Sequence, residues 1–490
     1  MSARERELEL KLMHLSKSNA LLLDKNKVLS NQGRLYRKKI KAITESRVLL
    51  RQKYGRQTAQ LKKEKRKGTL FTYGGGAAIA RHKYDVPTVR LCLSAYLLSG
   101  CSFRGVVRVL EYLRQSAGLD IAEVPCKSSI ENWVKKCGYY LYEHPDLLIY
   151  STGYALIIDE CLVIGQERML VILAVREGKE GEVALCLSGA QILLMEVKRS
   201  WSGDEIAKRI EKVEAKVGTK ATYIISDSGA NLIKGIGGCQ APRVGDCGHE
   251  IARQMEGLYK KEPRFVGFVA ACAQSKFKLV MMPQGYLAAP RQRTIARFMN
   301  LWPLLKWASG LLRNIESLSG DDVMAYTWIE EHREIIEELA LALKTANELL
   351  ELLKNKGLSY ASVAKCTQIC DTFCKNTIGL PAIWMAGIKQ YVQNEGSKLT
   401  AKGVVWHMSS DIIESLFGRY KEHKADNGLY GVTPFVLALP VLTKINAEKQ
   451  QVNVDYKESL ERTLMTDLKQ WNVDHLIENQ VIKRRKVLKT

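Results

Sequence analysis

Proline is missing from the first 86 residues, and the whole chain has 11 prolines in 490. A stretch that long without a helix breaker is free to run as one helix. No apolar run approaches the length of a membrane span, and the amino terminus is charged rather than signal-like; both predict a protein with no membrane partner. None of the 12 cysteines forms a CxxC pair. With the leader missing, that predicts free thiols in a reducing cytoplasm. Cys366, Cys370 and Cys374 recur every four residues and drift along one helix face. No fourth ligand lies nearby, so they read as small core residues rather than a zinc site. Acidic residues are in deficit: 52 Asp and Glu stand against 74 Lys and Arg, a formal charge of +22. An excess of that size implies a polyanionic partner. With no membrane signature, nucleic acid leads.

What is present starts with a period. Leu8, Leu15, Leu22, Leu29, Tyr36, Ile43 and Leu50 fall seven apart, and the companion positions hold Leu12, Asn19, Asn26, Gly33 and Ile40. Leucine at one core position with asparagine at the other is a zipper pattern that favours a parallel homodimer in fixed register. Gly33 is the weak point where the helix could break. The arm is also basic, with 20 Lys and Arg against 6 Asp and Glu over residues 1–67. Such a one-sided surface suits phosphate contact. A linker at 68–86 follows, with a flexible hinge at "YGGGAA".

Residues 87–150 read as three short helices. Gly100 ends the first, Ser102 caps the second, and Ser128 or Ser129 caps the third. With Arg104, Arg108, Lys127, Lys135 and Lys136 exposed between apolar positions, the unit suits a helix-turn-helix DNA reader.

From 153 the period changes to that of strands. "GYALIIDECLVIG", "ERMLVILAVRE" and "GEVALCLSGAQILL" predict a three-strand meander. A capped helix from "SGDEIAKRIEKVEAKVG" follows, then a strand in "ATYIISDSG", a short helix in "ANLIKGIGG", and a fifth strand leading into a helix in "PRVGDCGHEIARQMEGLYKK". The fold class is therefore mixed α/β, with a five-stranded sheet flanked by helices. Residues 261–405 are mostly helical, and "DDVMAYTWIEEHREIIEELALALKTANELLELLKNKG" reads as one long helix. A helix in "SSDIIESLFGRYKEH" lies within 406–430, with Ile412, Ile413, Leu416, Phe417 and Tyr420 spaced to pack toward the core, and 431–490 form a basic tail region.

Two strands end in an aspartate. In a sheet ordered 3-2-1-4-5, strands one and four are adjacent and parallel, which brings Asp159 and Asp227 together at the sheet centre. Like charges that close need a cation between them. Oxygen donors without soft ligands indicate Mg²⁺ or Mn²⁺. Two such ions can clamp both oxygens of an in-line phosphoryl displacement.

With "IIDE", "ISDSGANLIKG" and "IIESLFGRYK" in that order, the chain resembles the DDE transposases of bacterial insertion sequences. The likeness covers roughly residues 150–260 and 405–425. It implies a ribonuclease H-like catalytic core over 151–260 and 406–430, interrupted by an all-α insertion at 261–405. It also implies Asp159, Asp227 and Glu414 as ligands of two Mg²⁺ or Mn²⁺ ions, with Glu414 lying 187 residues beyond Asp227. "DCGH" at 246–249 matches an element found after the second aspartate in groups with such insertions, and His249 reads as a hydrogen bonder behind the ligands. Glu414 and Lys421 match half of an E-x6-K signature, with Lys421 on DNA; the upstream positions of that signature hold His407 and Ser410. The implied activity is DNA cleavage at element ends followed by strand transfer, with no small-molecule cofactor, in a bacterial, nucleoid-associated setting. The rival readings are a nuclease of the same fold that does not join strands, and a transposase-derived DNA-binding regulator.

Deleting residues 1–60 is expected to turn a dimer into a monomer or a weaker assembly by light scattering, because the Leu8-to-Leu50 seam supplies the interface. The salt dependence of DNA binding should flatten as well, because much of the positive charge leaves with the arm. An unchanged mass would exclude the zipper as the dimerising element.

Overall fold

A computed structural model of the chain describes residues 3–65, 77–151, 153–179, 185–292, 298, 301–423, 431–446, 449–478 and 480–488. Most of the hinge expected at 73–78 lies outside these residues. Contacts divide the chain into two compact units, 1–75 with 110–124, and 76–109 with 125–490.

The first unit is dominated by α1 (Ala3–Lys65), a single helix of 63 residues. Gly33 does not interrupt it: with no proline nearby, one glycine costs only about 1 kcal/mol. Leu8, Leu15, Leu22, Leu29 and Tyr36 are each more than half exposed along it.

The second unit contains the sheet. Its strands are β1 (Tyr154–Ile164), β2 (Glu167–Arg176), β3 (Gln191–Lys198), β4 (Tyr223–Ser226) and β5 (Arg243–Gly245). Their spatial order is β3-β2-β1-β4-β5. β1 pairs antiparallel with β2, and β2 with β3, while β1–β4 and β4–β5 are parallel. The expected order and directions therefore hold. The third strand starts later than the apolar pattern suggested: Leu187–Gly189 is a 3-10 turn, and 181–184 lie outside the described residues.

The parallel step from β3 to β4 needs a crossover, supplied by α5 (Gly203–Val217). A capping box of Ser202 and Glu205 starts this helix, and Gly218 ends it in the left-handed region at φ 87°. Along with α6 (Ala230–Gly237), it covers one face of the sheet. Ile206, Ile210, Val213, Leu232 and Ile236 pack there against Leu156, Ile158, Leu170, Ile172 and Leu194.

After β5 the chain is helical: α7 (Cys247–Tyr259), α8 (Pro263–Leu279), α9 (Leu301–Asn314), α10 (Gly320–Tyr326), α11 (Arg333–Lys356), α12 (Tyr360–Asn376) and α13 (Leu380–Gly396). The single long helix expected at 321–357 is broken, because Thr327–His332 form a 3-10 stretch between α10 and α11. β-branched and aromatic residues crowd a helix. The tighter turn buries Ile329 and sets Trp328 beside Trp307, ring centroids 6.4 Å apart. Cys366 and Cys370 are buried on α12, where desolvation pushes their thiols up to about 11 and about 12. These two are core residues, as their spacing suggested, while Cys374 is only half-buried.

The three helices before the sheet are α2 (Val86–Ser99), α3 (Phe103–Ser116) and α4 (Lys127–Glu143). Gly100 caps α2 at φ 65°, and the Ser102 hydroxyl accepts from Gly105 N at 3.1 Å. The cap of α4 is Cys126 rather than Ser128 or Ser129. Chain-terminal elements enclose α4: the 3-10 turn Pro434–Leu437, a helix at Ala438–Leu442, and helices at Tyr456–Arg462 and Met465–His475. Between Ser129 and Tyr142 no residue of α4 is exposed.

Gly138 shows how closely this packing is fitted. A Cβ there would lie 1.5 Å from the Leu437 carbonyl oxygen. Gly138→Ala is therefore expected to cost at least about 1–3 kcal/mol in thermal or urea unfolding. Gly257→Ala, whose Cβ would meet nothing within 4 Å on α7, should be neutral or stabilising by about 0.5–1 kcal/mol. Equal stability of the two variants would refute the packing of α4 on Leu437.

Candidate acidic site at the carboxyl ends of the central strands

β1 and β4 are paired in register through Ile158 and Ser226. The next residue on each strand is an aspartate, Asp159 and Asp227. Neighbouring strands lie about 4.8 Å apart, and paired residues of parallel strands share a face. Ile158 faces α5 and α6, so by alternation both aspartates turn to the opposite face. The β1–β2 ladder shifts register between Asp159 and Leu162. Such bulges re-aim side chains at the ends of pairing.

Asp227 begins a braced loop. Its Oδ1 accepts from Gly229 N at 2.9 Å, the Asx geometry that turns the chain into α6. Arg243 on β5 donates to Ser226 Oγ at 2.9 Å, to the Asp227 carbonyl at 2.6 Å and to Ser228 Oγ at 3.3 Å. Sequence reasoning overlooked Arg243, because an arginine on a three-residue strand carries no pattern. It also overlooked Glu160, half-buried beside Arg168 at 3.8 Å. Burial raises the Glu160 carboxyl, and the Asp227 charge adds to the rise.

The third acid arrives by another route. α14 (Asp411–His423) buries Ile412, Ile413, Leu416, Phe417 and Tyr420, as their spacing predicted. Asp411, Glu414, Gly418 and Lys421 share its exposed face. The start of this helix is held by Asp246, a buried carboxylate. Asp246 Oδ2 accepts from Ser410 N at 2.6 Å and from Ser410 Oγ at 2.9 Å. Its Oδ1 accepts from His249 N at 2.8 Å and lies 3.0 Å from His249 Nδ1. His249 Nε2 in turn stands 3.9 Å from Glu414 Oε1.

Burial alone would raise the Asp246 carboxyl, but these donors outweigh it and hold it down at about 2. Its hydrogen bond raises His249 to about 9, against a smaller opposing effect of burial, and the Glu414 and Asp227 charges add to the rise. With Nδ1 engaged by Asp246, the raised pKa favours the charged form of His249 and leaves Nε2 facing Glu414.

No protein family and no curated protein matches the chain.

Asp159, Asp227 and Glu414 offer only hard oxygen atoms, a donor set that suits Mg²⁺ or Mn²⁺. Among the described residues, no three His, Cys, Asp or Glu side chains are gathered closely enough to hold one ion. Asp159 stands mid-way along β1, Asp227 one residue past the end of the adjacent β4, and Glu414 lies 3.9 Å from His249. Of the basic residues expected on DNA, Arg104, Arg108, Lys127 and Lys421 are exposed. Lys135 is half-buried and paired with Glu131 at 3.0 Å. Lys136 departs from expectation: it is buried, with Nζ 3.3 Å from His82 Nε2, and desolvation lowers its pKa. The helix period places Lys136 on the face covered by the chain terminus, so it cannot meet phosphate.

The Asp246–His249 pair has a pH signature. The raised His249 pKa contributes stability that is complete below about 6.5 and lost as pH rises through about 9. In metal-free buffer, His249→Gln should therefore cost roughly 1–3 kcal/mol in urea unfolding at pH 6 and much less at pH 10. An equal cost at both values would show that the imidazole is uncharged.

Proposed function

We propose that this protein is a DNA transposase of the DDE type, cutting element ends and joining them to target DNA through Asp159, Asp227 and Glu414. One observation carries the reading: two parallel strands are paired through Ile158 and Ser226, and the next residue of each is an aspartate. The order of the sheet and the helical segment before α14 accord with a ribonuclease H-like core carrying an insertion.

Each part of the site has a role in this reading. Two Mg²⁺ or Mn²⁺ ions, when bound, supply the positive charge that stabilises the attacking and leaving oxygens of an in-line displacement. Asp159, Asp227 and Glu414 would hold that charge. Arg243 fixes the Asp227 backbone, and the bulge after Asp159 sets the direction of the first acid. His249, 3.9 Å from Glu414, offers that carboxylate a positive neighbour. Lys421, two turns further along the exposed face, meets a phosphate of the DNA end without competing for the ions. Gly418 lies between them with nothing within 4 Å of its Cβ direction, which leaves room for a sugar-phosphate backbone. The basic α1 arm pairs two copies through its leucine seam, so two element ends are held together.

Asp159→Ala, Asp227→Ala and Glu414→Gln should each abolish Mg²⁺-dependent nicking and strand transfer while leaving DNA binding within about threefold, since none of them contacts phosphate as a cation. Lys421→Ala should instead weaken retention of the cleaved end by roughly 1–3 kcal/mol. Substantial cutting by any of the three acid variants would remove that residue from the assignment.

A further inference from the structure

We infer that Lys354 is a second phosphate contact of the acidic site, parked on Asp411 in the free protein and transferred to the DNA backbone when DNA binds. The inference rests on the transposase reading and adds a residue that neither the motif order nor the sheet supplies.

Lys354 belongs to the last turn of α11, in the helical segment. Its Nζ lies 2.6 Å from Asp411 Oδ2, at the first residue of α14. A Cβ on Gly248 would stand 3.8 Å from the same Nζ, so the ammonium also lies beside the start of α7. The lysine therefore sits on Asp411 and feels the Asp246 charge, one helical turn from Glu414 along α14. Burial works against its charge, but the Asp411 pair outweighs burial and keeps it protonated.

An ion pair of this kind adds little to folding. The two side chains are 35% and 50% exposed, and exposed pairs contribute about 1 kcal/mol or less. It does place a cation on an edge that would otherwise repel a phosphodiester. Asp411 is a weak hold, since its partner can turn outward without uncovering a buried group.

The spacing also suits DNA. Asp411 and Lys421 share the exposed face of α14, with Glu414 and Gly418 between them. Ten residues of helix span about 15 Å, which is about four base-pair steps of roughly 3.4 Å. A strand laid along α14 would meet Lys354 at one end and Lys421 at the other, with Glu414 between.

The test uses the full chain, a 30-base-pair random duplex in EDTA, and fluorescence anisotropy across a salt series. Lys354→Ala should bind several-fold to about tenfold more weakly, with a salt slope shallower by about 1. Lys354→Arg should bind as wild type. Asp411→Asn should bind more tightly, and that gain should disappear in the Lys354→Ala background. Bound duplex should also slow acylation of Lys354 by an amine-reactive reagent, read by peptide mass spectrometry. If the pair is only structural, both single variants lose binding together, the slope is unchanged and acylation ignores DNA; that result overturns the inference. Failure of the wild type to bind any duplex would sink the transposase reading along with it. Wild-type binding with an unaltered slope in Lys354→Ala would sink this inference alone.

Discussion

A buried carboxylate holds the candidate site together. Asp246 follows β5, and all of its hydrogen-bonding capacity is spent on two helix starts: His249 at the beginning of α7, and Ser410 just before α14. Ser410 lies 164 residues beyond Asp246 in the chain. A charge at 2% exposure is tolerable only if it is paired and hydrogen-bonded. Removing one side of such a pair typically costs about 3–5 kcal/mol. The cost of leaving Asp246 unsatisfied is therefore what returns α14 to the sheet after the helical excursion, with Glu414 beside His249.

Other contacts make the same closure at lower stakes. Where the chain comes back, Trp406 stacks on Tyr223 with centroids 4.6 Å apart and donates to Glu177 Oε1 at 3.0 Å. The Tyr223 hydroxyl accepts from His407 N at 2.7 Å. A short ladder joins Gly178–Lys179 to Val404–Val405. From α13, the Tyr391 hydroxyl donates to the Gly245 carbonyl at 2.8 Å, and Lys398 Nζ, beyond its end, donates to the Arg243 carbonyl at 2.7 Å. The helical segment is thus bonded to β5 itself, and through Arg243 to the loop that carries Asp227. Distortion of the helices would be felt at the acids, because packed cores and bonded networks transmit displacement rather than absorb it.

Charge is divided along the chain in a way that suits a polyanionic substrate. The first 67 residues hold 20 of the 74 Lys and Arg, while Asp159, Asp227 and Glu414 lie far along the chain. In the proposed function, attraction over distance and the chemistry of displacement therefore belong to separate segments. The helical region before the sheet contributes less basic surface than its composition suggested, because α4 is enclosed by chain-terminal elements and Lys136 lies beneath them.

The sequence by itself determined the elements whose signals are local. The strand order followed from a meander, a capped crossover helix and two further strands; the buried face of α14 followed from its apolar spacing; the α5 caps followed from Ser202 and Gly218. Each depends on neighbours a few residues away, where periodicity and capping chemistry act. Only the tertiary structure decided which remote polar residues brace the acids that the motifs named. Nothing within a few residues of Asp246 distinguishes a buried carboxylate from a turn residue, and its second partner, Ser410, is remote in the chain. Arg243 and Lys354 were equally invisible, because their meaning lies in which backbone or carboxylate they reach. The break at Thr327–His332 escaped notice for the same reason: the acidic, leucine-rich pattern favours a continuous helix, and the burial of Ile329 that competes with it is a property of the packed core. Long-range pairing of polar groups leaves no period in a sequence, since it is selected by desolvation cost and not by local geometry.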